Sequence, residues 1–392
     1  MAATAGVSRQ PDRQGFTRGI LPKHLLEGKN RTDEMRNGYA WSGGPWVIDH
    51  WTKGQEIKLV PNPAFWGKKP NLDAVVFKII FDTAAHLAAY KTGQIDVAFV
   101  EGPQPEVLEL RALPDTQFAV TFSTAFEFLM FNTSKPPLDS GAVRKALAYA
   151  TDRDAIVAQL YGGLAPGFKA SQAFMSPANR TWYSEPFATY RRDLPRVAQL
   201  MTADGWAKDS DGVWAKGGVR ATIELNAANG NRRRELTEQI LQSQWKEAGF
   251  AASVNNPAQP TFSGEWLSKG LFSAGLFGMV SASTDPNMCR SFCSQFIPTE
   301  ANGFVGGNVG RLSSKAVDDA WQRVAAELDE GKRVDLVHRA QQSLADEVPG
   351  LPISGGVNVT LVNSAKVGGP VGANSLGKAF YNLADWYCRS CR

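Results

Sequence analysis

The segment FEFLMFNTSKPPLDSGAVRKALAYATDRDAIVAQLYGG, residues 126–163, decides the fold. It begins with an apolar run from Phe126 to Phe131, which predicts a buried strand. Ser140 is placed to cap a first helix. Thr151 is followed three residues later by the carboxylate of Asp154, which indicates the start of a second helix. An apolar strand that leads into two capped helices is typical of a layered α/β structure.

The rest of the chain alternates in the same way between short strand-like runs and amphipathic helical windows. The predicted strands are 46–51, 56–60, 74–80, 95–100, 126–131, 221–226, 271–280 and 357–362. The further predicted helices are 84–92, 194–204, 232–248, 314–330 and 332–347. Helices and strands that interleave along the whole chain predict an α/β protein.

Length and charge restrict the class of protein. The 392 residues suggest two or three domains, with room for a cleft between them. The 42 Lys and Arg against 38 Asp and Glu leave a net charge of only +4, which argues against a general nucleic-acid binder. We interpret the one dense basic run, residues 232–234, as a solvated helix end. No apolar stretch is long enough to span a membrane, and residues 1–20 lack the apolar core of a secretory signal.

Motifs for catalysis and for cofactors are missing from the sequence. The four histidines, His24, His50, His86 and His338, are scattered singly and form no metal-ligand pair. There is no Gly-x-Ser-x-Gly elbow and no phosphate loop of the Walker type. Catalytic constellations are therefore missing from the sequence, and we predict no metal and no cofactor.

The four cysteines form two close pairs, Cys289 with Cys293 and Cys388 with Cys391. Three states are possible: disulfides in an oxidising compartment, a four-thiolate zinc site, or reduced thiols. Disulfides are favoured, because the two cysteine pairs of a zinc site usually lie close to each other in sequence, whereas 94 residues separate Cys293 from Cys388. Four cysteines permit three connectivities, and the sequence does not choose among them.

Several motifs resemble those of the family 5 extracellular solute-binding proteins, the dipeptide and oligopeptide receptors of ABC importers. The resemblance is carried first by Phe131 to Asp139 and by Val143 to Ile156. It continues in Gly43-Gly44-Pro45-Trp46, Lys58 to Gly67, Leu72 to Ile80, Gly93 to Ala98, Trp245 to Gly249 and Val317-Asp318. The matches follow the family's order and cover residues 20 to 365.

This resemblance implies a type II periplasmic-binding-protein-like fold, α/β and two-lobed, with hinge strands between the lobes. The expected domains are 1–131 (partial lobe I), 132–353 (lobe II) and 354–392 (return to lobe I and a C-terminal tail). Family members carry a signal and more of lobe I before the point where this chain begins to match, so lobe I is expected to be incomplete at its N-terminus.

The implied function is that of a receptor, not an enzyme, which closes on a solute and delivers it to a permease and its ATPase. We expect a monomer in the periplasm or at the cell surface, without nucleic-acid partners. Peptide-like solutes are the first expectation; an oligosaccharide or opine-type solute is one alternative, and a zinc enzyme that uses the cysteines is another. The predicted ligand-binding residues are Phe126, Phe128, Asn132, Met279, Ser281, Ser283 and Asp285, with core packing as the alternative role of the apolar ones.

One position departs from the family pattern. Peptide-binding members carry an acidic residue shortly before an Asp-Pro pair, where it binds the α-ammonium group of the peptide. In this chain the pair is Asp285-Pro286, and Ala282 aligns with the acid. Because a buried ammonium group needs a charge partner, we expect weak binding of peptides with a free amino group.

Overall fold

A computed structural model describes residues 21–30, 33–34, 41–101, 105–280, 285–369 and 379–390. The chain divides into two compact units, residues 1–78 and 79–392. The first unit contains the helical turn Lys23–Leu26 and an antiparallel sheet in the order β1-β2-β3, made of Trp46–Thr52, Glu56–Pro61 and Val75–Lys78.

Asn62 explains one of the sequence motifs in this first unit. Its side chain is buried, and Nδ2 donates to the carbonyl oxygens of Ser42, at 3.0 Å, and Gly44, at 2.9 Å. Oδ1 accepts from the backbone N–H of Ala64 at 3.0 Å. The Asn-Pro segment after β2 is thereby tied to the Gly-Gly-Pro turn before β1, which gives the two motifs a shared structural role.

The second unit contains a six-stranded sheet in the order β10-β9-β11-β5-β12-β4. Its strands are β4 (Val97–Glu101), β5 (Thr116–Phe131), β9 (Thr222–Asn226), β10 (Ala251–Val254), β11 (Ala274–Val280) and β12 (Gly350–Asn363). β9 is parallel to β10 and β11, whereas β5 is antiparallel to its neighbours β11 and β12. Two small sheets are formed by β6 (Ala207–Lys208), β7 (Trp214–Lys216) and β8 (Val219–Arg220), and by β13 (Val367–Gly368) and β14 (Tyr387–Cys388).

The longer helices of the second unit have capped N-termini. They are α1 (Thr83–Lys91), α2 (Gly141–Ala150), α3 (Arg153–Tyr161), α4 (Leu194–Ala203), α5 (Arg232–Glu247), α6 (Lys315–Ala326) and α7 (Glu330–Glu347). In each of them the side chain of the N-cap residue, an Asp, Ser or Asn, accepts a hydrogen bond from the backbone N–H of the N3 residue. These residue types satisfy N–H groups that the first helical turn leaves without partners.

The cap of α3 differs from the sequence prediction. Asp152, not Thr151, accepts from the backbone N–H of Ala155, at 2.8 Å. The Thr151 hydroxyl instead donates to the Leu147 carbonyl oxygen at 2.7 Å and accepts from the Trp245 indole N–H at 2.9 Å. Thr151 therefore ends α2 and anchors α5, a role that depends on a residue 94 positions away.

Strands β5 and β12 extend well beyond the predictions, which began at residues 126 and 357. β5 begins at Thr116 and β12 at Gly350. The early half of β5 is largely half-exposed, so it lacks the continuous apolar run of its buried second half. Strand β10 was not predicted; with four residues it is too short for a clear alternation.

The cysteines of the pair 289 and 293 form a local disulfide in the turn Cys289–Phe292. Cys388 is also disulfide-bonded, and Cys391 lies outside the described residues. The predicted disulfide at Cys289 and Cys293 is confirmed, and their pairing with each other excludes cross-pairing to the C-terminal cysteines. Both sulfur atoms are used, so a zinc site built on these two thiolates is not compatible with the structure.

Candidate functional site

Strands β9, β10 and β11 run parallel, so their carboxyl ends point to the same side of the six-stranded sheet; β9 ends beside Gly275, and β11 continues to Val280. Strands β5 and β12 continue past this edge, and β12 then pairs with β4. The sheet therefore narrows in two steps from five strands to three, first where β9 and β10 end and then where β11 ends. Ligands of open α/β sheets bind outside the carboxyl ends of parallel strands. We call this place the carboxyl edge and treat it as the candidate site.

The pairing of β5 with β12 is irregular at the carboxyl edge. Gly355 lies opposite Phe126, whereas Gly356 lies opposite Ser123, so two residues of β5 have no counterpart on β12. A Cβ atom on Gly356 would lie 2.4 Å from Ser123 Oγ and 2.9 Å from the carbonyl oxygen of Ala125. Glycine is therefore needed for the close approach of the two strands at this bulge.

A buried group of three charged side chains, which we call the Arg-Glu cluster, lies beside this bulge. It consists of Glu127 on β5 with Arg233 and Arg234 in the first turn of α5. Glu127 Oε2 accepts from Arg233 Nη2 at 2.6 Å, and Glu127 Oε1 accepts from Arg234 Nε at 2.7 Å. The side chains of these residues are 11%, 5% and 13% exposed, respectively, so the pairs are largely removed from water.

The electrostatics of the cluster keep Glu127 and Arg233 charged. Burial acts to raise the pKa of Glu127, but the charges of Arg233 and Arg234 and their hydrogen bonds outweigh it, and the pKa is lowered overall. Burial likewise acts to lower the pKa of Arg233, and the carboxylate of Glu127 more than compensates. Two cations and one anion leave the cluster with a formal charge of +1.

Gly278 on β11 leaves one side of the cluster uncovered. It lies directly opposite Glu127 in the β5–β11 ladder and is exposed. A Cβ atom at this position would lie 3.3 Å from Glu127 Oε2 and 3.8 Å from Arg234 Nη2. Solvent therefore reaches the cluster over a residue that has no side chain.

Aromatic side chains continue from the cluster towards the early half of β5. The Tyr161 hydroxyl lies 3.4 Å from Ser354 Oγ, and the Tyr161 ring contacts Phe168 at a centroid distance of 5.7 Å. Phe168 in turn contacts Phe122 at 5.5 Å, and Phe122 is 52% exposed. The carboxyl edge thus combines a charged cluster with an exposed aromatic ring, a combination suited to a polar solute that has an apolar part.

The predicted site residues on β5 are buried. Phe126 and Phe128 contact each other at 5.3 Å, and Phe128 also contacts Phe174 and Phe277. Asn132 is fully buried and donates through Nδ2 to two carbonyl oxygens in the loop before β11. Ligand contact by these three residues remains a prediction.

The predicted site residues that follow in sequence lie at the end of β11 and beyond it. Met279 is half-buried on β11, at the carboxyl edge. Ser281 and Ser283, together with Ala282, lie outside the described residues. Asp285 is exposed; its Oδ1 accepts from the backbone N–H of Asn287 at 3.1 Å and from Arg333 Nη2 at 2.6 Å. The structure therefore brings Met279 to the edge, next to Phe126, and gives Asp285 local partners.

The Arg-Glu cluster was missed by the sequence prediction, which interpreted residues 232–234 as a solvated helix end. That interpretation holds for Arg232, whose side chain is 47% exposed, and is wrong for Arg233 and Arg234. The physical reason is Glu127, a carboxylate in an otherwise apolar strand. A buried charge requires a partner of opposite sign, so Glu127 was the signal that pointed to buried arginines elsewhere in the chain.

Glu238, one turn after the cluster on α5, titrates in the neutral range. Its side chain is 1% exposed; Oε2 accepts from Asn256 Nδ2 at 2.7 Å, and Oε1 has no partner among the described residues. Burial raises the pKa of Glu238 to about 7, from an ordinary value of 4.5. The folded state therefore holds a proton that the unfolded chain releases above pH 4.5, so stability falls as the pH rises from 4.5 to about 7 and then levels off.

We expect Glu238→Gln to remove this loss of folding stability at higher pH. At pH 5 the variant and the wild type should unfold at similar urea concentrations, whereas at pH 8.5 the variant should be more stable by about 3 kcal/mol. Urea unfolding followed by tryptophan fluorescence at both pH values tests this. Glu247→Gln, at the exposed end of the same helix, is the control and should keep the wild-type pH dependence. An equal effect of Glu238→Gln at both pH values would contradict the expectation.

Comparison with known proteins identifies the family. A family model described as bacterial extracellular solute-binding proteins, family 5 Middle, matches residues 12–295. The chain belongs to this family. The family 5 chain is 26% identical to the dipeptide-binding protein of Escherichia coli (strain K12) over 349 residues, which are 86% of this chain and 60% of that protein. It is 25% identical to heme-binding protein A of Haemophilus influenzae over 372 residues, 92% of this chain and 62% of that protein.

The family 5 chain therefore spans about 60% of the length of these curated relatives. Solved structures of similar fold include NikZ from Campylobacter jejuni in complex with Ni(L-His), with a TM-score of 0.79 and 24% identity over 94% of this chain and 73% of that one. AppA from Bacillus subtilis in complex with a nonapeptide has a TM-score of 0.80 and 21% identity, over 94% of this chain and 72% of the AppA chain. The predicted fold class, a two-lobed α/β fold of type II periplasmic binding proteins, is confirmed.

Two features are absent from the described residues. No helix among them combines the length and the apolar character that crossing a bilayer requires. No group of three or more His, Cys, Asp or Glu side chains among them is arranged to hold a metal ion.

Proposed function

We propose that this protein is the solute-binding receptor of an ABC importer, which captures a small polar solute and delivers it to a membrane permease and its ATPase. The observation that carries the proposal is the family match over residues 12–295. Relatives named as binding dipeptides, heme and nickel show that the family serves chemically different solutes. We place this receptor in the periplasm or at the cell surface, as a monomer that works by binding and not by catalysis.

The sheet supports a division into lobes connected by β5 and β12. We propose lobe I at 1–131 and 354–392 and lobe II at 132–353. Of the described strands, only β5 and β12 continue past the carboxyl edge, which supports them as the connections between the two lobes. The irregular pairing at Gly355 and Gly356 lies where these strands pass the end of β11. A bulge at that point supplies a place where closure could bend the strands.

Peptide-like solutes are the leading class, and the position of Ala282 restricts which peptides bind. Without a carboxylate at this position, an α-ammonium group that enters the site is desolvated without a partner. We therefore propose that the receptor favours solutes whose amino group is blocked or missing, which includes N-acylated peptides and opine-type compounds. Met279 and Asp285 flank this loop, and we retain them with Ser281 and Ser283 as proposed contacts.

Calorimetric titration with a defined panel tests the receptor function. The panel comprises Ala-Ala-Ala, N-acetyl-Ala-Ala-Ala, maltotriose and Ni(L-His). Saturable binding of at least one of these solutes is expected, with the acetylated peptide tighter than the free-amino peptide by about tenfold or more. Tighter binding of the free-amino peptide would refute the argument from Ala282, and no binding by any member of the panel would count against the receptor itself.

A further inference from the structure

The Arg-Glu cluster carries more positive charge than its carboxylate balances. Glu127 uses one oxygen for each arginine, through Arg233 Nη2 and Arg234 Nε. Arg233 is 4% exposed, yet its Nε atom has no hydrogen-bond partner among the described residues. A buried guanidinium nitrogen without an acceptor is costly, so an additional anion beside the cluster would be stabilised.

Arg234 provides donors on the side that faces the open edge. Within the described part of the chain it donates hydrogen bonds only through Nε, to Glu127. Its Nη2 atom lies 3.8 Å from the place where a Cβ of the exposed Gly278 would be. A group that approaches over Gly278 therefore meets a guanidinium whose terminal nitrogens are still available.

The acidic neighbours of the cluster on α5 are already engaged. Glu235 Oε1 accepts from the backbone N–H of Gly230 at 3.0 Å. Glu238 is bonded to Asn256. The helix itself adds positive potential, because α5 is 16 residues long and begins at the cluster with Asn231 as its cap.

We propose that Arg234, supported by Arg233, binds a carboxylate group of the solute at the carboxyl edge, over Gly278. This inference rests on the proposed receptor function and names the chemical class of its solute: an acid, held at its anionic end by the Arg-Glu cluster. Glu127 orients both guanidinium groups. Because it binds Arg234 at Nε, the Nη atoms of Arg234 remain available for the ligand. The aromatic side chains Phe122 and Phe168 lie along the same edge and provide apolar surface for the rest of the solute.

The test compares N-acetyl-Ala-Ala-Ala, which has a free carboxylate, with the corresponding C-terminal amide. Calorimetry should show that the wild-type protein binds the acid about 10–100-fold more tightly than the amide, the range expected for hydrogen bonds to a charged group. Arg234→Gln should remove this preference, because it weakens the binding of the acid and leaves the affinity for the amide unchanged. Arg232→Gln, a change in the exposed neighbour that pairs with Glu106, is the matched control and should keep the preference.

Three results would overturn the carboxylate site. They are equal affinity for acid and amide in the wild type, an undiminished preference in Arg234→Gln, and binding of neither peptide while another solute of the panel binds. Each of them leaves the receptor function intact, because that function fails only when nothing in the panel binds. If Arg234→Gln does not fold, as judged by circular dichroism, Arg234→Lys replaces it: lysine keeps the charge, loses the planar fork and should reduce the preference.

Discussion

Replacement of Arg153 by methionine is expected to lower the free energy of unfolding of the unit 79–392 by about 3–5 kcal/mol. Arg153 is 5% exposed at the start of α3. Its Nη1 donates to the carbonyl oxygens of Ser171, at 2.6 Å, and Pro352, at 3.2 Å. Its Nη2 donates to Gln172 Oε1, at 2.7 Å, and to the Phe187 carbonyl oxygen, at 2.8 Å. One side chain thus joins α3 to β12 and to the irregular segment between α3 and α4.

The size of the expected effect follows from the hydrogen bonds that methionine cannot form. Its side chain fills most of the volume but donates no hydrogen bond, so buried carbonyl oxygens lose their partners. Burial lowers the pKa of Arg153 to about 10, so the side chain remains charged at neutral pH and its bonds are charge-assisted. Arg153→Lys should recover part of the loss, since lysine keeps the charge but cannot reach four acceptors at once.

Urea unfolding at pH 7, followed by tryptophan fluorescence, measures this difference. Arg192→Met is the control, because Arg192 forms an exposed pair with Glu247, and its loss should cost within about 1 kcal/mol. If Arg153→Met were no more destabilising than Arg192→Met, the four hydrogen bonds would not stabilise the fold as argued.

Replacement of Glu127 by glutamine should have an effect of similar size, a loss of about 3–5 kcal/mol at pH 7. The substitution preserves the shape of the side chain and removes its charge. Arg233 and Arg234 are then left as two neighbouring buried cations without a counter-charge, and the new amide group points a donor at one of them. The pairs themselves are close, at 2.6 and 2.7 Å, so little of their interaction is screened by water.

The pH dependence separates this explanation from a simple packing defect. The pKa of Glu127 is lowered from 4.5, so its stabilisation is present above pH 4.5 and is lost as the pH falls through the lower folded-state value. The difference in unfolding free energy between the wild type and Glu127→Gln should therefore be largest at pH 6–7 and shrink in strong acid. A difference that stayed constant down to the acid-unfolded state would show that the charge is not its cause. Glu265→Gln, in an exposed pair with Lys269, should leave stability unchanged at each pH.

Local signals in the sequence were sufficient for much of the secondary structure. Ser140 was predicted to cap α2 and does so, because a capping bond joins residues only three positions apart. The predicted helix 194–204 corresponds to Leu194–Ala203 and the predicted helix 232–248 to Arg232–Glu247, since both have apolar stripes of helical period. The family resemblance rested on motifs of this local kind, and it was confirmed.

The long-range contacts could be identified only from the tertiary structure. Thr151 was predicted as a cap and instead accepts from the indole of Trp245, which lies 94 residues later. Arg233 and Arg234 belong to a helix end that, by its sequence, is polar and solvated, and they are buried because Glu127, more than 100 residues earlier, lies beneath them.

The sequence by itself determined that this is an α/β chain of the solute-binding family with close pairs of cysteines, because composition, periodicity and local motifs report short-range preferences. Only the tertiary structure decided which charges are buried, which cysteine pairs with Cys289, and where β5 and β12 pass the end of the parallel strands. The physical reason is that burial and pairing depend on neighbours in space. The position of Glu127 in an apolar run indicates that it needs a partner of opposite charge, and in the folded structure Arg233 and Arg234 are that partner.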